Sequence, residues 1–270
     1  TRYWRDWSSD VCSSDLHKAL LEGDLTSARE LQQSLLDAAP DFPGIEACAC
    51  NIPAAAVSGD FYSFLTHGRS VLRVFIGDVS GKGAAAALFA ALASGALHHL
   101  SSPGQRPSDF LRSLNQYLVT RNAARRYIAA TVVDWRPESN CLVLSNAGGV
   151  DSLIFRNGSA EVLRVEGLPL GLFASAAYEE IEVKADPGDV LVLASDGILD
   201  CDDPNGSEYG IERLKQAISA HGCAPARVLM NEILKSVREH AAGAPPQDDQ
   251  TVIVFKIQPG ERLGEGAIHA

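Results

Sequence analysis

Aspartates stand at the ends of several predicted β-strands, and carboxylates that meet at one edge of a sheet can hold divalent metal ions. Carboxylate oxygens are the ligands that Mg²⁺ and Mn²⁺ prefer. A single aspartate at a strand end is more often a turn residue than a ligand, so the metal hypothesis depends on several of them occurring together. These positions are Asp60, Asp78, Asp196 and the pair Asp248-Asp249.

The first two of these aspartates belong to one predicted hairpin. If His67 lies opposite Ser70 in an antiparallel pair, Asp60 falls opposite Gly77 and beside Asp78. Carboxylates held that close repel each other, which raises their pKa values, and a dication relieves the repulsion. The remaining aspartates end one apolar strand and precede the last one. If those two strands are antiparallel neighbours, their aspartates also share one edge.

The segment around Asp78 has some features of a phosphate-binding loop, but its spacing disfavours that interpretation. A P-loop requires Gly, four residues and then Gly-Lys-Ser/Thr. In VFIGDVSGKGAAAAL only three residues separate Gly77 from Gly81, and Gly83 stands where the Mg²⁺-binding hydroxyl should be. The aspartate at the strand end, rather than Lys82, is therefore the residue that needs a function.

The composition suits one large globular domain with an appendage. The chain has 270 residues, of which 46% are hydrophobic and 21% are charged, which is ordinary for a globular protein. A net charge of −11 argues against nucleic acid or an anionic membrane as the main partner. An acidic protein that handles phosphate needs a cation to do so. The longest apolar run, residues 84–97, is too short to span a bilayer, so we expect no membrane insertion.

The cysteines predict free thiols and a reducing, cytoplasmic location. The sequence contains neither a Cys-x-x-Cys pair nor zinc-ligand spacing. Cys48 and Cys50 lie two apart in a predicted strand, so their thiols point the same way, and buried free thiols are the expected state. The other cysteines are at positions 12, 141, 201 and 223.

Short apolar runs joined by tight turns predict an α+β fold with antiparallel sheets. Turns at His67-Gly68, Asn157-Gly158 and Pro187-Gly188 suit antiparallel pairing. Helices predicted at 84–100, 108–120, 211–220 and 224–240 come in pairs between groups of strands, which favours packed sheets with helices outside over a doubly wound parallel sheet. The predicted strands are 45–51, 60–66, 71–76, 128–135, 141–145, 152–155, 160–165, 178–183, 190–194 and 251–257.

The chain divides into four predicted parts. Residues 1–16 are excluded from the fold and expected to be disordered, because DWSSDVCSSDL (6–16) looks like a translated sequencing adapter. Residues 17–40 are predicted to hold an amphipathic helix that either connects to a lost upstream module or packs on the domain. Residues 41–258 form the main domain, and 259–270 form a flexible tail.

Seven motifs, in order and spacing, resemble the PPM family of metal-dependent protein serine/threonine phosphatases, in its bacterial SpoIIE/RsbU-type branch. They run from about residue 27 to 257, nearly the whole chain outside the adapter. Each motif alone is weak, and the set is strong. The motifs are SARELQQSLL (27–36), SGDFYSF (58–64), IGDVSGKGAAAALFA (76–90), LSNAGG (144–149), GLPLGLF (167–173), LASDGILD (193–200) and DDQTVIVFKI (248–257).

The resemblance implies a four-layer α-β-β-α sandwich, in which helix pairs flank two antiparallel sheets, and a centre of two Mn²⁺ or Mg²⁺ ions. Asp78 matches the aspartate that bridges both ions. Asp60 and the Val79 carbonyl match ligands of the second ion. The residues that match ligands of the first ion are Asp196 and Asp248. Asp249 is the alternative to Asp248.

The resemblance also implies the reaction, which is hydrolysis of phosphoserine or phosphothreonine in a protein. A hydroxide that bridges the two ions attacks phosphorus in line with the seryl or threonyl oxygen, without a phosphoenzyme. Asp60, Asp78 and Asp196 are then the catalytic residues. Gly81 and Lys82 are candidate substrate contacts, although the lysine side chain could equally be solvated.

In this branch the usual substrate is a small anti-sigma-factor antagonist with a STAS fold. The resemblance therefore implies a role in sigma-factor regulation, a sensor domain upstream of the connector helix, and a possible homodimer through that helix. Two other functions stay open: a catalytically weak binding module in partner switching, and a phosphomonoesterase that acts on a small molecule.

Three positions depart from the family's pattern. Ser63 stands where an acidic residue is expected, and Leu36-Asp37 replaces a Leu-Pro. Residues 149–151 (Gly-Val-Asp) replace a His and an Asn-Pro, which bears on substrate preference. A catalytic role for His98 and His99 is disfavoured, because histidines at a helix end suit the helix dipole.

Overall fold

The computed structural model describes residues 23–121 and 126–259 of the chain. The predicted adapter (1–16), the first residues of the connector (17–22) and the tail from 260 onward lie outside the described residues. In the described part, no helix is long and apolar enough to cross a membrane.

Ten strands in the described residues pair into two five-stranded antiparallel sheets. In chain order the strands are β1 (Ile45–Ile52), β2 (Phe61–His67), β3 (Val71–Val79), β4 (Ile128–Arg136), β5 (Cys141–Ala147), β6 (Ser152–Arg156), β7 (Ser159–Leu163), β8 (Glu180–Lys184), β9 (Val190–Ala194) and β10 (Gln250–Ile257). Sheet 1 has the order β1-β10-β9-β6-β7, and sheet 2 has the order β2-β3-β4-β5-β8. All of the predicted strands are confirmed to within three residues at either end.

The helices flank these sheets in the predicted pairs. They are α1 (residues 23–34), α2 (Ala84–Leu100), α3 (Pro107–Arg121), α4 (Asp196–Leu199), α5 (Gly210–His221) and α6 (Ala226–His240). Residues 23–34 of the predicted connector are therefore helical, whereas residues 35–40 are not. Only α4 was not predicted, since the Asp-Gly after β9 indicated a turn and forms a single helical turn instead.

Three separate apolar cores show that the fold has four layers. One core lies between the two sheets and includes Phe64, Trp135 and Phe255. A second packs α5 and α6 on sheet 1, and a third packs α2 and α3 on sheet 2. This confirms the predicted α-β-β-α sandwich. It also explains the apolar runs of the central strands, because both of their faces are buried.

The predicted register of the first hairpin is wrong by one residue. His67 pairs with Val71 rather than lying opposite Ser70, so the connection has three residues and not two. Gly68, at a φ of 62°, permits the left-handed backbone that such a loop uses. Continuing this pairing beyond Phe61 and Gly77 puts Asp60 directly opposite Asp78, which brings the two carboxylates closer than predicted.

Candidate active site

The two sheets bring all of the predicted aspartates to one edge of the sandwich. Asp60 and Asp78 flank the hairpin of sheet 2. Asp196 follows β9, and Asp248 and Asp249 precede β10, the neighbour of β9 in sheet 1. The carboxylates lie close enough to influence one another's ionisation, since the charges of the three sheet 1 aspartates all raise the pKa of Asp78. A cavity of about 60 Å³ opens between the sheets at this edge.

Asp60 is the most deeply buried of these carboxylates, with 1% of its surface exposed. Thr251, from sheet 1, donates a hydrogen bond of 2.6 Å to Oδ2, while Oδ1 accepts none from the described residues. Burial raises the pKa of Asp60 well above its usual value, and the charge of Asp78 raises it further. An oxygen with no donor in so buried a site is suited to a cation.

Asp78 shares this environment. Its pKa is raised from 3.8 to about 7, mainly by burial and next by the charge of Asp196. The next residue, Val79, presents its carbonyl to the same side, 3.2 Å from where a Cβ on Gly59 would lie. A side chain at position 59 would crowd this carbonyl and touch the Asp78 carboxylate, so glycine there keeps both oxygens more open.

Asp196 and Asp248 provide the carboxylates of sheet 1. Although Asp196 is exposed as a whole residue, the protein atoms around its carboxyl raise its pKa by partial desolvation, and the charges of Asp200 and Asp248 raise it further. Oδ2 of Asp248 forms an ion pair of 2.8 Å with Lys82. Lys82, one of the two predicted substrate contacts, therefore bridges to a predicted ligand and is not simply solvated.

Asp249 has a different role from Asp248. Its two carboxylate oxygens accept hydrogen bonds from the backbone N–H groups of Ala54 and Gly59, at 2.8 and 2.6 Å. These bonds hold the loop that precedes Asp60. Asp248 accepts only one backbone hydrogen bond, from the Asp249 N–H to Oδ1 at 2.9 Å, so it would give up fewer backbone contacts to bind a metal ion, and Asp248 stays the predicted ligand.

The loop after β3 holds the other predicted substrate contact. Gly81 has a φ of 87°, and a Cβ there would lie 2.6 Å from Nη1 of Arg126. The same nitrogen donates a hydrogen bond to the Ser80 carbonyl. A basic side chain thus lies directly beside the aspartate edge, a feature that the sequence analysis did not identify.

Two of the departures from the family's pattern turn out to contact each other. Ser63, where an acid was expected, donates a short hydrogen bond to Asp37, where a proline was expected. Asp37 also accepts from the backbone N–H of Phe64 and lies 3.7 Å from His98. A carboxylate is thus present at this place, supplied by the end of the connector. His98 contacts this cluster and not the aspartate edge.

The residues at the edge fit divalent ions in type and number. Mutually repelling carboxylates, of which Asp60 is fully buried, together with an oxygen without a donor and a nearby backbone carbonyl, form the all-oxygen donor set of Mg²⁺ and Mn²⁺. Among residues 23–121 and 126–259, no three carboxylate, His or Cys side chains are yet arranged around a common metal position. Asp248 would have to turn from Lys82 toward the other aspartates.

The raised pKa values predict a pH-dependent stability when divalent ions are removed by a chelator. With Asp78 at about 7 when folded and 3.8 when unfolded, the folded state binds more protons in that window, so the free energy of unfolding falls as pH rises through it. Thermal unfolding in chelator from pH 4.5 to 8 should show a steeper decline for the wild type than for Asp78→Asn. Parallel curves would contradict this.

Several residues that position the carboxylates were missed from the sequence. Gln32 of α1 forms two hydrogen bonds with the backbone of Ser58, of 2.6 and 2.8 Å. The hydroxyl of Ser58 accepts from the N–H of Asp60, and Thr251 holds the Asp60 side chain. A polar residue within an otherwise apolar helix stripe was the available signal for Gln32.

The comparison with known proteins identifies one family model and several relatives. The model described as Stage II sporulation protein E (SpoIIE) matches residues 68–258. Phosphoserine phosphatase RsbU of Bacillus subtilis (strain 168) is 27% identical, over 87% of this chain and 70% of that protein.

Solved structures show the same fold. The SiaA-PP2C domain of Pseudomonas aeruginosa superposes with a TM-score of 0.79 at 20% identity, over 90% of this chain and 99% of that one. The catalytic domain of serine/threonine protein phosphatase PstP, solved in complex with two manganese ions, superposes with a TM-score of 0.56 at 18% identity, over 80% and 99% of the two chains.

Proposed function

The chain belongs to the SpoIIE family of phosphatases, and from this we propose that it hydrolyses phosphoserine or phosphothreonine on a regulatory protein with the help of divalent metal ions. The observation that carries the proposal is the convergence of carboxylates from both sheets on one edge. Burial and mutual repulsion there raise the pKa values of Asp60, Asp78 and Asp196. Such a cluster is unfavourable without a cation.

We propose two Mn²⁺ or Mg²⁺ ions as the cofactors. Asp78, the central carboxylate, would bind both. Asp60 and the Val79 carbonyl would complete one site, and Asp196 and Asp248 the other. Two divalent ions in such a site lower the pKa of a water molecule and neutralise charge on the transferred phosphoryl group.

The surrounding residues fix the carboxylates. Thr251 orients Asp60, while Asp249 holds the backbone of the loop before it. Lys82 extends from the loop after β3, with 63% of its side chain exposed. Once separated from Asp248, its ammonium group can reach an incoming phosphate, and this is its proposed role.

A protein substrate is favoured over a small molecule by the size of the site. Pockets that enclose small ligands typically measure about 300–1,000 Å³, whereas the cavity at this edge is about 60 Å³. The cavity can therefore hold a phosphoryl group but cannot enclose the rest of a small molecule, so most of the binding surface for a preferred substrate must lie outside it. The relative named phosphoserine phosphatase supports phosphoserine, and we propose a STAS-type regulatory protein as its carrier.

We further propose that regulation enters through α1, from a sensor domain upstream and with dimerisation of α1 as one possible route. The exposed leucines of α1, Leu25 and Leu31, are available for such contacts. With a net charge of −11, we propose no nucleic-acid partner.

The experiment that tests this function compares substrates under metal control. Phosphate release would be measured from a serine-phosphorylated protein, from free phosphoserine and from p-nitrophenyl phosphate, with Mn²⁺ and with chelator. Metal-dependent release that favours the phosphoprotein supports the proposal. A preference for free phosphoserine would indicate the small-molecule phosphomonoesterase, and no release from any substrate would indicate the binding module.

Gln32→Ala is expected to weaken Mn²⁺ binding about tenfold, in the range typical of residues that orient metal ligands. The substitution leaves the N–H and carbonyl of Ser58 without their partner on α1, so the loop that carries Asp60 loses its support. Mn²⁺ affinity can be measured by calorimetry. Gln33→Ala, on the exposed side of the same helix, is the matched control, and equal affinities for the two variants would exclude this role.

A further inference from the structure

Four large apolar side chains lie exposed close to the aspartate edge. Tyr127, Leu168, Leu172 and Phe173 are 39%, 49%, 42% and 53% exposed. We call these four residues the apolar rim. Exposed apolar side chains that cluster, unlike single ones, commonly mark a binding surface.

The pairing of the backbone places the apolar rim next to the catalytic cavity. Ile128 and Leu170 form an antiparallel bridge with two backbone hydrogen bonds, of 2.9 and 3.0 Å. All four rim residues lie within three positions of this bridge. The next residues of β4, Ala129 and Ala130, line the cavity between Asp78 and Asp196. A molecule whose phosphoester enters the cavity past Ala129 and Ala130 would extend over the apolar rim.

The segment that carries the rim is held rigidly. The side chain of Asn115, fully buried on α3, donates to the Phe173 carbonyl and accepts from the Gly171 N–H, both at 2.8 Å. Backbone packing is also close, since a Cβ on Gly167 would lie 1.9 Å from the Asn146 carbonyl oxygen. The apolar side chains are thus presented on a fixed backbone, and binding to such a surface loses little conformational entropy.

Charged residues are unevenly distributed around the aspartate edge, and their distribution favours docking of a phosphorylated partner on the side of the apolar rim. On the opposite side, past Asp196, burial raises the pKa of Asp200. The charges of Glu208, Asp248 and Asp202 raise it further. This acidic side repels a phosphorylated partner. On the rim side, Arg126 immediately precedes Tyr127, and its guanidinium donates to the Ser80 carbonyl, so a cation lies beside the apolar rim.

We propose that the apolar rim is the docking surface for the phosphoprotein substrate, and that it selects partners with apolar side chains beside the phosphorylated serine or threonine. The inference rests on the proposed function and specifies its substrate. Contacts made far from the reacting phosphorus can contribute to the rate for a large substrate and not for a small one. The rim should therefore distinguish substrates that carry the same phosphoester.

The test uses the double variant Leu172→Ser/Phe173→Ser and two phosphoserine peptides, one flanked by Leu and Phe and one flanked by Ser and Gly. We expect kcat/KM for the apolar-flanked peptide to fall about tenfold, since two partly buried apolar contacts are lost. The Ser/Gly-flanked peptide and p-nitrophenyl phosphate should be unaffected. Val228→Ser, an exposed apolar residue of α6, is the matched control and should behave as wild type.

Binding separates failure of this inference from failure of the proposed function. A phosphonate analogue of phosphoserine in the apolar-flanked peptide cannot be hydrolysed, and its binding is measured by fluorescence anisotropy. Tighter binding to the wild type than to the double variant supports the rim even if no substrate is turned over. Equal binding, or an equal loss of kcat/KM on all three substrates, would overturn it.

Discussion

Asp78→Asn is expected to abolish metal-dependent phosphoester hydrolysis, with a fall of at least about 10³-fold, because removing a central charged group from a two-metal site removes both positioning and charge stabilisation. Asp78 is the carboxylate on which the charges of Asp196, Asp248 and Asp249 converge. Asparagine preserves its size but not its charge. Phosphate release from p-nitrophenyl phosphate in Mn²⁺ measures the effect.

The loss should not come from unfolding. Removing one charge from a repelling cluster relieves strain, so the melting temperature of Asp78→Asn in chelator at pH 8 should equal or exceed that of the wild type. Asp109→Asn, at the exposed start of α3, removes a carboxylate from elsewhere and should retain activity. Full Mn²⁺-dependent turnover in Asp78→Asn would exclude this carboxylate as the shared ligand.

Asp134→Ala is expected to give the largest loss of stability, about 3–5 kcal/mol in the free energy of unfolding. Arg73 and Asp134 pair across β3 and β4, with Nε–Oδ1 and Nη2–Oδ2 distances of 2.7 and 2.9 Å, and both are about 1% exposed or less. Truncating the aspartate leaves a buried guanidinium group without its counter-ion. Urea denaturation measures the change.

An exposed ion pair on α6 is the control for the buried pair of Arg73 and Asp134. Glu232→Ala breaks the pair with Lys235 on α6, whose side chains are 33% and 59% exposed, and should change the free energy of unfolding by less than about 1 kcal/mol. The double substitution Arg73→Met/Asp134→Leu should recover part of the loss, since it leaves no unpaired buried charge. A loss for Asp134→Ala no larger than for Glu232→Ala would contradict the account.

The periodicity of apolar residues was enough to predict the layers of this fold. Strands β9 and β10 contain the continuous apolar runs VLVLA and VIVF, and helices such as α6 have a clear apolar stripe. What periodicity cannot give is the length of a turn. The β2–β3 loop was predicted one residue too short, and that single residue decides whether Asp60 faces Gly77 or Asp78.

In the site, the sequence indicated which residues carry charge but not how they are held. The strand-end aspartates were predicted, whereas the bond between Gln32 and Ser58 and that between Thr251 and Asp60 join residues far apart in the chain. The buried position of Arg73 was also unforeseen, because an arginine in a strand is expected to face solvent. Contacts of this kind depend on how the layers pack, which a single sequence does not state.

A calorimetric titration of Mn²⁺ into the chelator-treated wild type and Asp78→Asn tests the central claim most directly. The account predicts that the wild type binds two ions per chain, as a shared carboxylate implies, and that Asp78→Asn loses this binding. Absence of Mn²⁺ binding in the wild type, or binding that Asp78→Asn leaves unchanged, would contradict the assignment of the aspartate edge as a metal centre.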